Sequence, residues 1–222
     1  MQEFPDELWK TWLGEERAIA FESVSARLNI QDATIWNQRI SAALWIDISV
    51  VEVALRNKVS TSLQHRLTRL GIQERWMEDP TGEIFKAGGR VALQRIAEAA
   101  ANARRFKKAS TETDLIAELS LGFWKAFFTK PFQAFHPDLV STFEGLNHRN
   151  FQVPARLVAQ FHGLRNRVAH HHRMLHRDLL KDSQVISSLA RALDPKLEQF
   201  LNQRSSCTNL VDEFNQIVQA GC

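Results

Sequence analysis

Residues 32–69 read DATIWNQRISAALWIDISVVEVALRNKVSTSLQHRLTR, and the periodicity of this stretch decides the fold. Ile40, Leu44, Ile48, Val51, Leu55, Val59 and Leu63 recur at three- and four-residue steps, the period of a helix. Asp32 is the expected N-cap, and Gly71 stands where a C-terminal stop belongs. At 1.5 Å per residue such a helix spans on the order of 55 Å. Its most apolar part, Leu44 to Leu55, is interrupted by Asp47 and Glu52. A membrane span needs ~20 apolar residues, so none is expected here or elsewhere.

Outward from this helix the chain reads as more helices. A shorter helical stretch runs from about Pro5 to Leu28. Met77 to Gly89, with Pro80, Gly82, Gly88 and Gly89, reads as a loop. A helix is expected from about Arg90 to Lys108, and Ser110-Thr-Glu-Thr-Asp opens the next with Leu115, Leu119, Phe123, Trp124 and Phe127 on it. Phe123 and Trp124 suit a core better than a base-stacking surface. Pro137 starts a short helix, Pro154 fits the first turn of one reaching about His171, and Pro195 opens one of the last. No convincing strand, long linker or low-complexity run is evident. The expectation is one all-α domain over 1–222, with a core of about 32–205 and an N-terminal helical extension over 1–31.

Composition agrees. Nine glycines and six prolines in 222 residues are roughly 7%, against about 12% on average, which favours long helices over a turn-rich β fold. A chain of this length buries roughly 70% of its unfolded surface and needs no staples. The only cysteines, Cys207 and Cys222, cannot make a disulfide framework or a zinc site, which points to a reducing compartment. The acidic start Met-Gln-Glu-Phe-Pro-Asp-Glu has no apolar region of a signal peptide, so a cytoplasmic location is expected.

The net charge of +3 is mild, but its distribution is uneven. Arg104, Arg105, Lys107 and Lys108 form one basic cluster, which reads as a solvated helix end. Arg165, Arg167, Arg173 and Arg177, interleaved with His170, His171, His172 and His176, form a denser one. With ~100° per residue and Arg165 at zero, Leu157, Phe161, Leu164 and Val168 form one apolar stripe. Asn166 and His170 lie near 100° and 140°, roughly opposite, on a side shared with Ala155 and Ala159. That face is either solvent-exposed or an assembled site across a dimer axis.

Arg165-Asn-Arg-Val-Ala-His170 resembles the arginine, four-residue spacer, histidine motif of the HEPN superfamily. Val51-Glu-Val-Ala-Leu-Arg-Asn resembles the Glu-x-x-Leu-Arg-Asn element of its Abi-like (abortive infection) members. Leu119-Ser-Leu-Gly-Phe-Trp resembles their Leu-Ser-Phe-Gly-Phe-Trp signature, and the three segments follow in the same order. The resemblance implies an all-α fold, a homodimer and metal-independent RNA cleavage without a cofactor. It makes Arg165 and His170 the catalytic pair, supported by Asn166. Arg167, His171 and His172 are candidate substrate contacts, or merely exposed. Glu52, Arg56 and Asn57 either lie against the motif helix, orienting the site or touching RNA, or form a plain Glu52–Arg56 ion pair with helix packing.

The chemistry stands by itself. RNA brings its own nucleophile, the ribose 2′-OH, so the protein needs only proton transfer and charge stabilisation. An imidazole with an unperturbed pKa of about 6.5 suits the first, and a guanidinium fork suits the second. The expected function is an endoribonuclease of anti-phage defence or a toxin, with an antitoxin or a phage-derived trigger as a further partner. The alternative is a non-catalytic dimer that binds RNA or a protein. His172 and His176 have a spacing that holds a metal on a helix, but without further ligands no metal is expected.

Overall fold

In a computed structural model the residues described are 3–24, 28–106, 111–146 and 150–219, and every α- or β-type regular element among them is helical. The helices are α1 (Asp6–Leu13), α2 (Glu15–Glu22), α3 (Ile30–Arg69), α4 (Glu83–Phe106), α5 (Glu112–Glu118), α6 (Leu121–Ala126), α7 (His136–Val140), α8 (Gln152–Ala169), α9 (Leu179–Leu193), α10 (Pro195–Arg204) and α11 (Cys207–Gln219). The long helix α3 is the axis of the fold, and α2, α7, α8, α9 and α11 all pack along it. Its seven periodic apolar residues, Ile40 to Leu63, are all buried. No helix among the described residues is long and apolar enough to cross a membrane.

The start of α3 corrects one expectation. Asn29, not Asp32, is the N-cap: its side chain accepts from the Asp32 backbone N–H at 2.7 Å. Asp32 lies in the first turn, where a carboxylate faces the positive end of the helix dipole. The stop at Gly71 is as expected: Gly71 has φ 74°, and Ile72 N–H reaches back to the Leu67 carbonyl at 3.0 Å.

Three other expected boundaries shift. Gly14, at φ 82° and ψ 143°, breaks the N-terminal stretch into α1 and α2. The expected loop 77–89 already contains the first turns of α4, because both Asp79 carboxylate oxygens accept from the backbone of Ile84 and Phe85 at 2.9 and 2.8 Å. Gly89, at φ 62°, then breaks that helix where the loop was expected to end. The segment after Thr111 is two helices, because Ser120 caps α6 afresh at 3.3 Å from Phe123 N–H. Phe123 and Trp124 are buried against Trp76 and belong to the core. Arg104 and Arg105 are exposed at the end of α4, whereas Lys107 and Lys108 lie outside the described residues.

Gly145 shows how closely the chain crosses α9. Its N–H donates to the Ala192 carbonyl at 3.1 Å, and a β-carbon there would collide with the Arg191 carbonyl oxygen. Gly145→Ala is therefore expected to destabilise the fold by about 1–3 kcal/mol, read as a lower urea midpoint with helical circular dichroism retained. A midpoint equal to wild type would show that the crossing is looser than described.

Candidate functional site

The motif lies on α8, and the burial of this helix decides where its arginine points. Pro154, Val158, Phe161, Leu164 and Val168 are buried, while Leu157, expected in the stripe, is only half-buried. The buried face is thus turned by roughly 30° from the expected one, and Arg165 falls inside it, between Phe161 and Val158 on the helical wheel. Its guanidinium reaches into the domain. Nε donates to Glu52 Oε2 at 2.9 Å, and Trp45 covers the group, with its ring centroid 5.4 Å from the guanidinium carbon.

Glu52 is itself buried on α3 and faces two cations. Its other carboxylate oxygen accepts from Arg56, one turn further along the same helix. Arg56 also donates to the Ala117 carbonyl at 3.1 Å, which ties α3 to the end of α5. Burial and then the like charge of Arg165 lower the Arg56 pKa, and Glu52 is the counter-charge between the two guanidiniums. The ion pair expected at Glu52–Arg56 is present, and it extends across to the motif helix. Asn57 is not part of it: it is exposed and has no hydrogen-bond partner among the described residues.

Asn166 is half-buried and meets a residue that the sequence reading overlooked. Its Nδ2 lies 3.3 Å from Nε2 of His162, one turn earlier on α8. Burial, then Lys125 and Arg165, lower the His162 pKa, so at neutral pH this imidazole is uncharged and its bare Nε2 accepts from Asn166. Gly122 of α6 faces the same ring: a β-carbon there would lie 3.7 Å from His162 Nε2. The i,i+4 spacing of His162 and Asn166 was the available signal. All three resembling segments thus converge on α8, through Glu52, Gly122 and Arg165.

The end of α8 is built from unusual material. His170 is the C-cap, His171 takes a left-handed conformation at φ 54°, and His172 N–H donates to the Arg167 carbonyl at 2.9 Å. This is a Schellman motif with histidine where glycine is usual. Two side chains hold it from outside. Arg17 donates to the His171 carbonyl, and Asn37 Oδ1 accepts from Met174 N–H at 2.6 Å. The side chains of His170, His171 and His172 are exposed, as is Arg167. His172 and His176 are not on a helix, and His176 Nε2 lies 3.0 Å from the Ala20 carbonyl, which removes the basis for the metal spacing. Of the basic cluster, Arg177 is engaged by Asp182 through two 2.6 Å bonds, while Arg167 and Arg173 face solvent.

Within one chain, Arg165 and His170 are not joined by a hydrogen bond and project about 140° apart around the helix. On the face of His170, Ala159 is exposed, while Ala155 is half-buried against the core. The terminal nitrogens of Arg165 have no hydrogen-bond partner among the described residues. Comparison with known protein families, curated proteins and solved structures finds no match to this chain.

Two outcomes follow from these contacts. Glu52→Ala leaves two neighbouring guanidiniums without their buried partner, and a loss of about 3 kcal/mol in urea unfolding is expected. A loss below 1 kcal/mol would mean that solvent already screens the pair. For His162 and His136, burial sets the folded pKa below the ordinary 6.5, so the unfolded chain binds protons more readily. Their stabilising contribution is present above pH 6.5 and is lost as the pH falls through the folded values. His162→Phe should flatten the fall in melting temperature between pH 7 and pH 5 without abolishing it. An unchanged slope would place the His162 proton elsewhere.

Proposed function

We propose that this chain is a metal-independent endoribonuclease acting as a homodimer, in anti-phage defence or as a growth-arresting toxin. The observation that carries the reading is the grip of Glu52 on Arg165 through Nε alone. It orients the guanidinium and leaves the two terminal nitrogens for phosphate oxygens, the arrangement that bidentate anion binding requires.

In this reading His170, exposed at the helix end, moves protons. It accepts the proton of the ribose 2′-OH as that oxygen attacks phosphorus, or donates one to the departing 5′-oxygen. The P–O5′ bond breaks, leaving a 2′,3′-cyclic phosphate and a 5′-hydroxyl. Arg165 stabilises the extra negative charge of the pentacoordinate transition state. Because the two side chains diverge within one chain, a second copy is the natural source of the missing partner, docked through the face of His170 and Ala159. RNA is the substrate, and an antitoxin or phage-derived trigger would act by covering or releasing that face.

The test is incubation of purified protein with mixed RNA in EDTA. Wild type is expected to cleave, and His170→Ala to lose at least 10²-fold, the usual scale of general acid–base assistance (about 10²–10⁴). Arg165→Lys should also be impaired, since a point charge cannot replace a fork. RNA binding without cleavage by wild type would favour the non-catalytic dimer. Cleavage at full rate by His170→Ala would remove His170 from the chemistry.

A further inference from the structure

His170 sits where α8 ends in a chain reversal. His171 is the left-handed residue of that reversal, and the chain re-enters the core only at Met174, which is fully buried. On the side of α2 and α3 the turn borders a cavity of about 630 Å³, lined by Val168, Ala169 and His171 together with Arg17, Asn37 and Trp45. Little packing supports the turn from that side, so hydrogen bonds do what close packing does elsewhere.

Those bonds come from far along the chain. Arg17 of α2 donates to the His171 carbonyl across 154 residues. Asn37, on α3 and only 4% exposed, uses both ends of its amide. Its Nδ2 lies 3.5 Å from the His172 carbonyl oxygen, and its Oδ1 accepts from Met174 N–H at 2.6 Å. Within the turn, His171 N–H and His172 N–H close onto the Val168 and Arg167 carbonyls at 3.0 and 2.9 Å. The folded-back chain sets the His172 ring edge-on to that of His170, with centroids 6.4 Å apart.

The arrangement is costly for a helix stop alone. Glycine takes the left-handed conformation freely, as Gly71 does after α3, whereas histidine is held there against its preference. Arg17 is in turn held with its Nε buried and without a hydrogen-bond partner among the described residues. Strain of this kind persists only where the surroundings over-determine it, and it gathers where a set geometry is used. What this turn displays to solvent is His170 and His172.

We propose that Arg17 is a positioning residue for His170, which makes α2 part of the site; the proposal rests on the ribonuclease reading. Arg17 touches no reacting atom. By holding the His171 carbonyl it keeps residue 171 left-handed, and with it the two closing bonds that fix the last turn of α8. Once released, His171 relaxes toward the right-handed region and the closing bonds open. His170 and His172 then lose their fixed relation when a proton is to be moved.

The test joins amide hydrogen exchange, which needs no activity, to cleavage kinetics in EDTA at a temperature where circular dichroism shows every variant folded. In Arg17→Met the His172 amide should exchange about tenfold faster. Its kcat should fall about tenfold with KM within about twofold of wild type, the pattern of an interaction made in the chemical step. In the His171→Gly background, where the turn needs no clasp, the same substitution should cost less than about twofold in both readouts. A role in stability alone would leave kcat unchanged in folded Arg17→Met, and that result overturns the proposal. So does unchanged exchange at His172, or an equal loss in the His171→Gly background. Arg17→Lys, which keeps the charge but not the fork, decides the matter if Arg17→Met does not fold, and a loss of at least about threefold in kcat is expected. Wild type that is inert in EDTA overturns the ribonuclease reading and the role in cleavage with it, and the exchange result separates that failure from failure of the clasp.

Discussion

Glu52 is buried near the middle of a 40-residue helix and holds two guanidiniums, Arg56 from its own helix and Arg165 from the motif helix. Ionised groups leave water at high cost unless they are paired, and Glu52 is paired with both guanidiniums. That requirement fixes the rotation of α8 about its axis. With Arg165 drawn to Glu52, Val158 is buried and Leu157 is left half-buried, while His170 is turned out to solvent. The same pairing draws Arg56 toward the Ala117 carbonyl. One carboxylate thereby sets the relation between α3, the end of α5 and the motif.

The end of the motif helix depends on a second set of contacts. A left-handed histidine is less favourable than glycine, and His171 is held there by Arg17 on its carbonyl and by Asn37 on the Met174 N–H three residues later. Arg17 and His171 also line the cavity beside Trp45, and Trp45 covers the Arg165 guanidinium.

Much of this was legible in the sequence because helical periodicity is a strong signal over 40 residues. The burial of Ile40 through Leu63, the stop at Gly71 and the capping box at Thr111 all follow from local chemistry. Some of the misplaced details are set locally, by caps and glycine breaks, and others by distant partners. Asn29 and Asp32 are both good N-caps, and it is the Asn29 side chain that accepts from the Asp32 N–H. Leu157 and Val158 are both apolar, and the rotation that buries Val158 goes with the bond of Arg165 to Glu52, 113 residues away, which no local pattern shows. His162 was missed because it precedes the resembling motif, although its spacing from Asn166 was visible. Nothing in the local pattern announced that Arg17 would hold the His171 carbonyl, since that depends on how α2 and α8 close over α3.

In the proposed ribonuclease, Glu52 acts through Arg165, as a positioning residue and not as an independent participant. A double-mutant cycle on RNA cleavage in EDTA measures this directly. Glu52→Gln and Arg165→Lys should each slow cleavage, and the double variant should be no slower than Arg165→Lys alone, because an untethered arginine and a missing one fail for the same reason. Losses that multiply would contradict the account, as would full activity in Glu52→Gln.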